Sequence, residues 1–347
     1  MSLRLSTTRK LAFECLQSRE MLAGDVTAAV QGQMLVITGD DQANGVVLTY
    51  DAASRRFQVR GLDAGGSPTT INGQDTSQPG DVPSFTNVKT VYVGLGKGDD
   101  VFQTGSAAAT DVVIAKWLSI EMGEGHDHVV LGQAGNGAGG AAPVATRLQV
   151  GTGLKVDLGD GNDQLDLANA RIGQRLQVFA GDGDDEVRFP TEFTPTGQTT
   201  PQVFPVQVRD NLFVSLGSGE DVLQMRHVSI RRNLLIQDGD GSADITLHDV
   251  QASKRVDIHT AGDADELSLE WVRAKQLAIN TNGGLDQVWL AHARFTTLNV
   301  KLGSGHDRLT LSDTRTSFAA HLNGEDDGAV LLGSGNKLRG LWRRNFG

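Results

Sequence analysis

The sequence predicts an all-β fold: a right-handed, single-stranded parallel β-helix with about 21–22 residues and three short strands per coil. Three observations carry that prediction. A glycine–aspartate phrase returns at a nearly constant interval. Apolar residues stand at fixed offsets from it, in pairs spaced by two. The 347 residues include 43 glycines and only 8 prolines, with 39 % hydrophobic residues, which is enough apolar material for a core and the wrong composition for a disordered chain.

The phrase reads GKGDDVF at 96–102, GEGHDHV at 123–129, GDGNDQL at 159–165, GDGDDEV at 181–187, GSGEDVL at 217–223 and GSGHDRL at 303–309. Weaker copies begin at 239, 261, 282 and 323. With the residue two before the closing apolar position as anchor, the anchors are Asp100, Asp127, Asp163, Asp185, Asp221, Ala243, Asp265, Asp286, Asp307 and Asp327. Successive spacings are 27, 36, 22, 36, 22, 22, 21, 21 and 20. Each 36 is one 22-residue period plus a 14-residue insertion, at 132–145 and 190–203.

The strands follow from the alignment. Nine and seven before the anchor stand pairs such as Val91/Val93, Leu154/Val156, Leu234/Ile236 and Leu298/Val300, ending in Phe318/Ala320. Two and four after it stand pairs such as Leu165/Leu167, Leu223/Met225 and Leu309/Leu311. A third pair, seven and nine after, includes Ala170/Ile172 and Val228/Ile230. Residues spaced by two share one face of a strand. One such unit cannot bury its apolar face alone, whereas a stack of them builds a continuous core. Handedness follows from the chirality of strand crossovers. The count comes to roughly 10–12 coils.

The ends depart from the repeat. Residues 35–48 fit one more coil with Asn44 as anchor, and 25–86 as a whole predict irregular first coils or a cap. The regular array covers 87–335, and 336–347, with Trp342 and Phe346 among arginines, predicts a C-terminal cap. Residues 1–24 carry no repeat but include Phe13, Glu14, Leu16, Arg19, Met21, Leu22 and Ala23. That pattern resembles the FExLExRxLLA motif near the start of large exported proteins of planctomycete-type bacteria. The resemblance implies export and residence at the cell surface, in the periplasm or outside the cell.

Composition narrows the partners. A formal charge of -11 argues against nucleic acid, and no apolar run is long enough for a membrane-spanning helix. A single cysteine, Cys15, excludes a disulfide framework within the chain.

Two sets of residues are candidates for binding. Asp100, Asp127, Asp163, Asp185 and Asp221, with Asp160 and Asp182 beside them, offer hard oxygens at glycine turns. The phrase is similar to the repeats-in-toxin nonapeptide GGxGxDxUx, and the resemblance implies calcium. The leading glycine is replaced here by Met122, Leu158, Ala180, Leu216 or Leu302, and one phrase occurs per coil. The other use of these aspartates is to cap their own turns by accepting backbone N–H bonds. The second set lies on the third strand, where Arg171, Arg273, Arg294 and Arg315 stand at outward positions. Trp271 and His292 are nearby, and Arg231, Arg232, Lys254, Arg255 and Lys275 lie in the following turn. Such an edge predicts binding of an acidic polysaccharide or a cell-surface matrix.

No GxSxG, HExxH or phosphate-binding loop occurs, so the function expected is that of a non-enzymatic, exported structural or adhesive module. The alternative is a lyase, hydrolase or glycan binder that uses the arginines and the two inserted loops.

Overall fold

The structure, a computed structural model, describes residues 24–64, 67–76, 80, 82–105, 111–135, 144–190, 192–193 and 202–346. The motif-bearing residues 1–23 and most of the two inserted loops lie outside them. The described chain is all β, and its strands join in long parallel ladders compatible with a β-solenoid. We call one period of the stack a rung.

Like residues stack over like. On the first side Leu35, Val91, Leu118, Leu154, Leu176, Leu212, Leu234, Val256, Leu277 and Leu298 follow one another in parallel register. On the second, Val46, Phe102, Val129, Leu165, Val187, Leu223, Ile245, Leu267, Val288 and Leu309 do the same. A third, shorter ladder runs through Val112, Leu148 and Ala170, and through Val206 and Val228. All of these side chains are buried. Each aliphatic residue that leaves water contributes about 1.5–3 kcal/mol, which no isolated rung could collect.

Between the first and second sides the glycine turns must pass within contact distance of one another. Gly159 and Gly161 have φ of +112° and +140°, and a Cβ on either would lie 1.9 or 1.7 Å from the carbonyl oxygen of Gly123 or Gly125. Only glycine fits both demands.

The ends differ from the middle. Asp25–Gln31 pairs antiparallel with Met34–Thr38, and Gly45–Asp51 pairs antiparallel with Arg56–Gly61. Near the other end, the expected stacking of Phe318/Ala320 on Leu298/Val300 is corrected. Ala320 and Leu322 pair there instead, after a register shift between Phe295 and Thr297, and Phe318 is left 74 % exposed. Residues Leu341–Phe346 continue the parallel pairing by one more strand.

Candidate functional site

The outward face of the third ladder is one column of side chains. Val113, Gln149, Arg171, Gln207, Ser229, Gln251, Arg273, Arg294, Arg315 and Lys337 succeed one another in register. The column contains no acidic residue, and its last four members are cations, in a chain of net charge -11. Alternation along each strand places these side chains outward because their neighbours, such as Ala170, Ile172, Val228 and Ile230, fill the core.

The structure thus brings Arg273, Arg294 and Arg315 together. Arg315 donates to Asp313 Oδ1 at 3.0 Å, and Arg171 donates to Gln207 Oε1 at 3.3 Å. Arg273 and Arg294 form no side-chain hydrogen bond or ion pair among the described residues, so their donors are open to a ligand. At the other end of the column Arg147, Asn169, Ala170, Arg171, Pro205 and Gln207 line a small cleft of about 110 Å³.

Trp271 and His292 sit two residues before Arg273 and Arg294, at the corner that leads into the column. Their rings stack 4.3 Å apart at an interplanar angle of 12°. The indole N–H donates to Glu270 Oε1 at 3.1 Å, and His292 Nδ1 lies 3.2 Å from Asp313 Oδ2. His227–Asp249 and His248–Glu270 repeat the pairing on earlier rungs, at 2.9 and 3.2 Å. Asp313 is held below the usual carboxylate range by its hydrogen bonds to His292 and then Arg315.

Sequence reasoning missed what unites this corner. Asn169, His227, Asp249, Trp271, His292 and Asp313, all six after an anchor, have φ between +43° and +58°. Asn, Asp and His tolerate the left-handed region, but a bulky Trp271 does so at a cost of about 1–2 kcal/mol. The recurrence of Asn, His and Asp at that offset was the available signal.

The aspartate turns are built differently from what the sequence suggested. From Asp100 to Asp307 the anchor carboxylates reach back one rung, so the expected capping of their own turns is corrected. Asn44 N–H donates to Asp100 Oδ1 at 2.6 Å, and the N–H groups of Asp100, Asp127 and Asp163 donate to Oδ1 of Asp127, Asp163 and Asp185 at 2.8 Å each. Asp185 N–H donates to Asp221 Oδ1 at 2.9 Å, and Asp265 and Asp286 receive the bonds from Ala243 and Asp265 at 2.9 and 3.1 Å. One position earlier the direction reverses. There the N–H groups of His126, Asn162, Asp184 and Glu220 donate to side chains of Asp99, His126, Asn162 and Asp184 on the preceding rung, at 2.9–3.1 Å. Two opposed ladders thereby satisfy consecutive peptide groups at the turns of Asp127, Asp163 and Asp185.

These anchors are buried, and their second oxygens pay the consequence. Oδ2 of Asp100, Asp127, Asp163, Asp185 and Asp221 is sealed from solvent with no hydrogen-bond partner. Burial pushes the carboxyls of Asp100 and Asp185 up to about 8, Asp127 to about 7 and Asp221 to about 6, and raises Asp163 too. A proton on the buried acid removes the charge that burial penalises. Asp160 and Asp182 stand apart from them in an outer row in register with Glu124 and Ser218. Ser218 Oγ donates to Asp182 Oδ1 at 2.7 Å.

Calcium takes six to eight oxygen ligands. Among the described residues no three His, Cys, Asp or Glu side chains gather closely enough to hold a metal ion. The anchor Oδ1 atoms are already engaged by backbone N–H groups, so the buried column does not fit the ion.

Comparison of the chain with known protein families, curated proteins and solved structures finds no match.

Proposed function

We propose that this chain is a non-enzymatic adhesive module: an exported, right-handed, single-stranded β-helix that holds an extended acidic polysaccharide at a cell surface or in a matrix. The observation that carries the proposal is the acid-free column ending in Arg273, Arg294, Arg315 and Lys337. A polyanion lying across the rungs meets a cation at each step of about 4.8 Å, the strand spacing of a sheet. Arginine forks suit carboxylate and sulfate groups. Export is supported by the motif at 13–23, and calcium by the likeness of the glycine–aspartate phrase to the repeats-in-toxin nonapeptide alone, since Lys97 holds Glu124 and Ser218 donates to Asp182 in the outer row. A melting temperature unchanged by calcium or EDTA removes the ion from the proposal.

The decisive experiment is a panel of acidic glycans incubated with the full chain, read by affinity and by absorbance of unsaturated products. Saturable binding that weakens with salt, without products, is the expected result. Arg273→Ala with Arg294→Ala lowers that affinity about tenfold or more. Product formation replaces the proposal with the lyase or hydrolase alternative, and absence of binding ends it.

A further inference from the structure

Beside the column lies a notch whose origin is a difference in rung length. Going from the third side to the first, Ile230–Arg231–Arg232 and Ala252–Ser253–Lys254 each put three residues between the paired positions. The next two rungs put only two there, Ala274–Lys275 and Phe295–Thr296, because Gln251 and Arg255 pair with Arg273 and Gln276. The following corner is wide again, with Thr316–Ser317–Phe318. Two narrow corners between wide ones leave a recess. It has a volume of about 410 Å³ and is lined by Asn233, Lys254, Arg255, Lys275, Gln276, Thr296 and Thr297.

Its chemistry is selective. Arg255 is tied to Asp257 on its own strand. Lys254 and Lys275 form no side-chain hydrogen bond or ion pair among the described residues. Around them stand two amides and two hydroxyls, from Asn233, Gln276, Thr296 and Thr297, and no carboxylate lines the recess. On the wide corner beyond it, Phe318 turns a large aromatic surface to solvent, 74 % exposed. An inorganic polyanion has no ring face to offer and is served as well by the cations of the column, from Arg273 to Lys337, as by the two ammonium groups of the recess. A sugar bearing an anionic group would use all three kinds of contact: charge, hydroxyl hydrogen bonds and a ring face.

We propose that this notch seats one anionic pyranose unit of the polysaccharide. Lys254 and Lys275 bind its carboxylate or sulfate, Gln276, Thr296 and Thr297 bind its hydroxyls, and Phe318 meets its apolar face. The inference rests on the proposed function, since it assigns the specific subsite of the track that Arg273 and Arg294 begin.

The test uses the full chain and calorimetric titration with four probes: a carboxylated oligosaccharide, a sulfated one, a neutral one and linear polyphosphate. The side chains changed are exposed, and the melting temperature of each variant confirms folding. Lys254→Ala with Lys275→Ala is expected to lower affinity for the acidic oligosaccharides about tenfold, and for polyphosphate less than about threefold. The two acidic arms show which group the notch prefers. Phe318→Ala, which changes no charge, is expected to weaken oligosaccharide binding several-fold and leave polyphosphate unchanged. Equal losses for sugar and polyphosphate overturn the notch as a sugar site. So does wild-type affinity in both variants while Arg273→Ala with Arg294→Ala fails to bind, a result that leaves the polysaccharide track standing. If the unaltered chain binds neither acidic oligosaccharide, the track and the notch fall together.

Discussion

The rungs anchored at Asp100 to Asp221 and those anchored at Ala243 to Asp286 solve one problem in two ways. Five residues before the anchor, the earlier rungs carry Leu95, Met122, Leu158, Ala180 and Leu216, all buried. Each anchor there keeps one sealed oxygen without a partner. The later rungs carry Asp238, Thr260 and Thr281 at that position. Thr260 Oγ1 donates to the second oxygen of Asp265, whereas Thr281 Oγ1 donates to the Leu302 carbonyl at 2.7 Å and leaves Asp286 Oδ2 unpartnered. Where the anchor is Ala243, the carboxyl has moved to Asp238, whose oxygens are both buried without partners. Burial first, then the charges of Asp221 and Asp265, raise Asp238 to about 8. A carboxyl is thus kept inside every rung of both regions, and its proton or a neighbouring hydroxyl makes it tolerable.

The largest expected effect follows from those protons. A carboxyl whose pKa is higher in the folded than in the unfolded state stabilises the fold fully below its unfolded value. That contribution is lost as pH rises through the folded value, here from about 6 for Asp221, through about 7 for Asp127 and Asp286, to about 8 for Asp100, Asp185 and Asp238. The melting temperature should therefore fall steadily from about pH 5 to about pH 9. A flat or rising profile would show that the column is ionised and compensated in some other way.

Much of this comparison was legible in the sequence, and the rest was hidden for definable reasons. The anchors and the pairs at nine and seven before them repeat often enough to fix which residues face inward. Asp238 stood in the row of Leu216 and Leu158, on the same rung as Ala243, so its departure could have been noticed. What no one-dimensional pattern contains is the direction of an aspartate side chain: Asp127 bonds the peptide of Asp100, 27 residues away. The notch was hidden likewise, because a 21-residue spacing says that a residue is missing without saying at which corner. Phe318 was misplaced for that reason: the 20-residue spacing to Asp327 conceals the wide corner and register shift that turn it outward.

The next largest effect tests whether Asp238 stands in for the missing anchor. Ala243→Asp places another carboxyl in the interior already occupied by Asp221, Asp238 and Asp265, and should destabilise the fold by about 3 kcal/mol. Adding Asp238→Leu restores the pattern of the earlier rungs and should recover most of that loss. Urea denaturation of the single and double variants measures both. Independent, additive effects of the two changes would show that Asp238 has its own role.

The smallest effect isolates the hydroxyl. Thr260→Val keeps the shape of the side chain but withdraws the donor from Asp265, whose carboxyl is raised by burial and lowered by that same hydrogen bond. Removing one such bond inside the protein should cost about 1–2 kcal/mol, and should move the loss of stability at this rung to higher pH. Leu158→Thr is the converse change beside Asp163, on an earlier rung. It gives up aliphatic burial worth about 1 kcal/mol and supplies a donor of similar value to an oxygen that has none. Its stability near neutral pH should stay within about 1 kcal/mol of the original. If Thr260→Val melts as the unaltered chain does, and with the same pH profile, the hydroxyl contributes nothing and the two regions differ in packing alone.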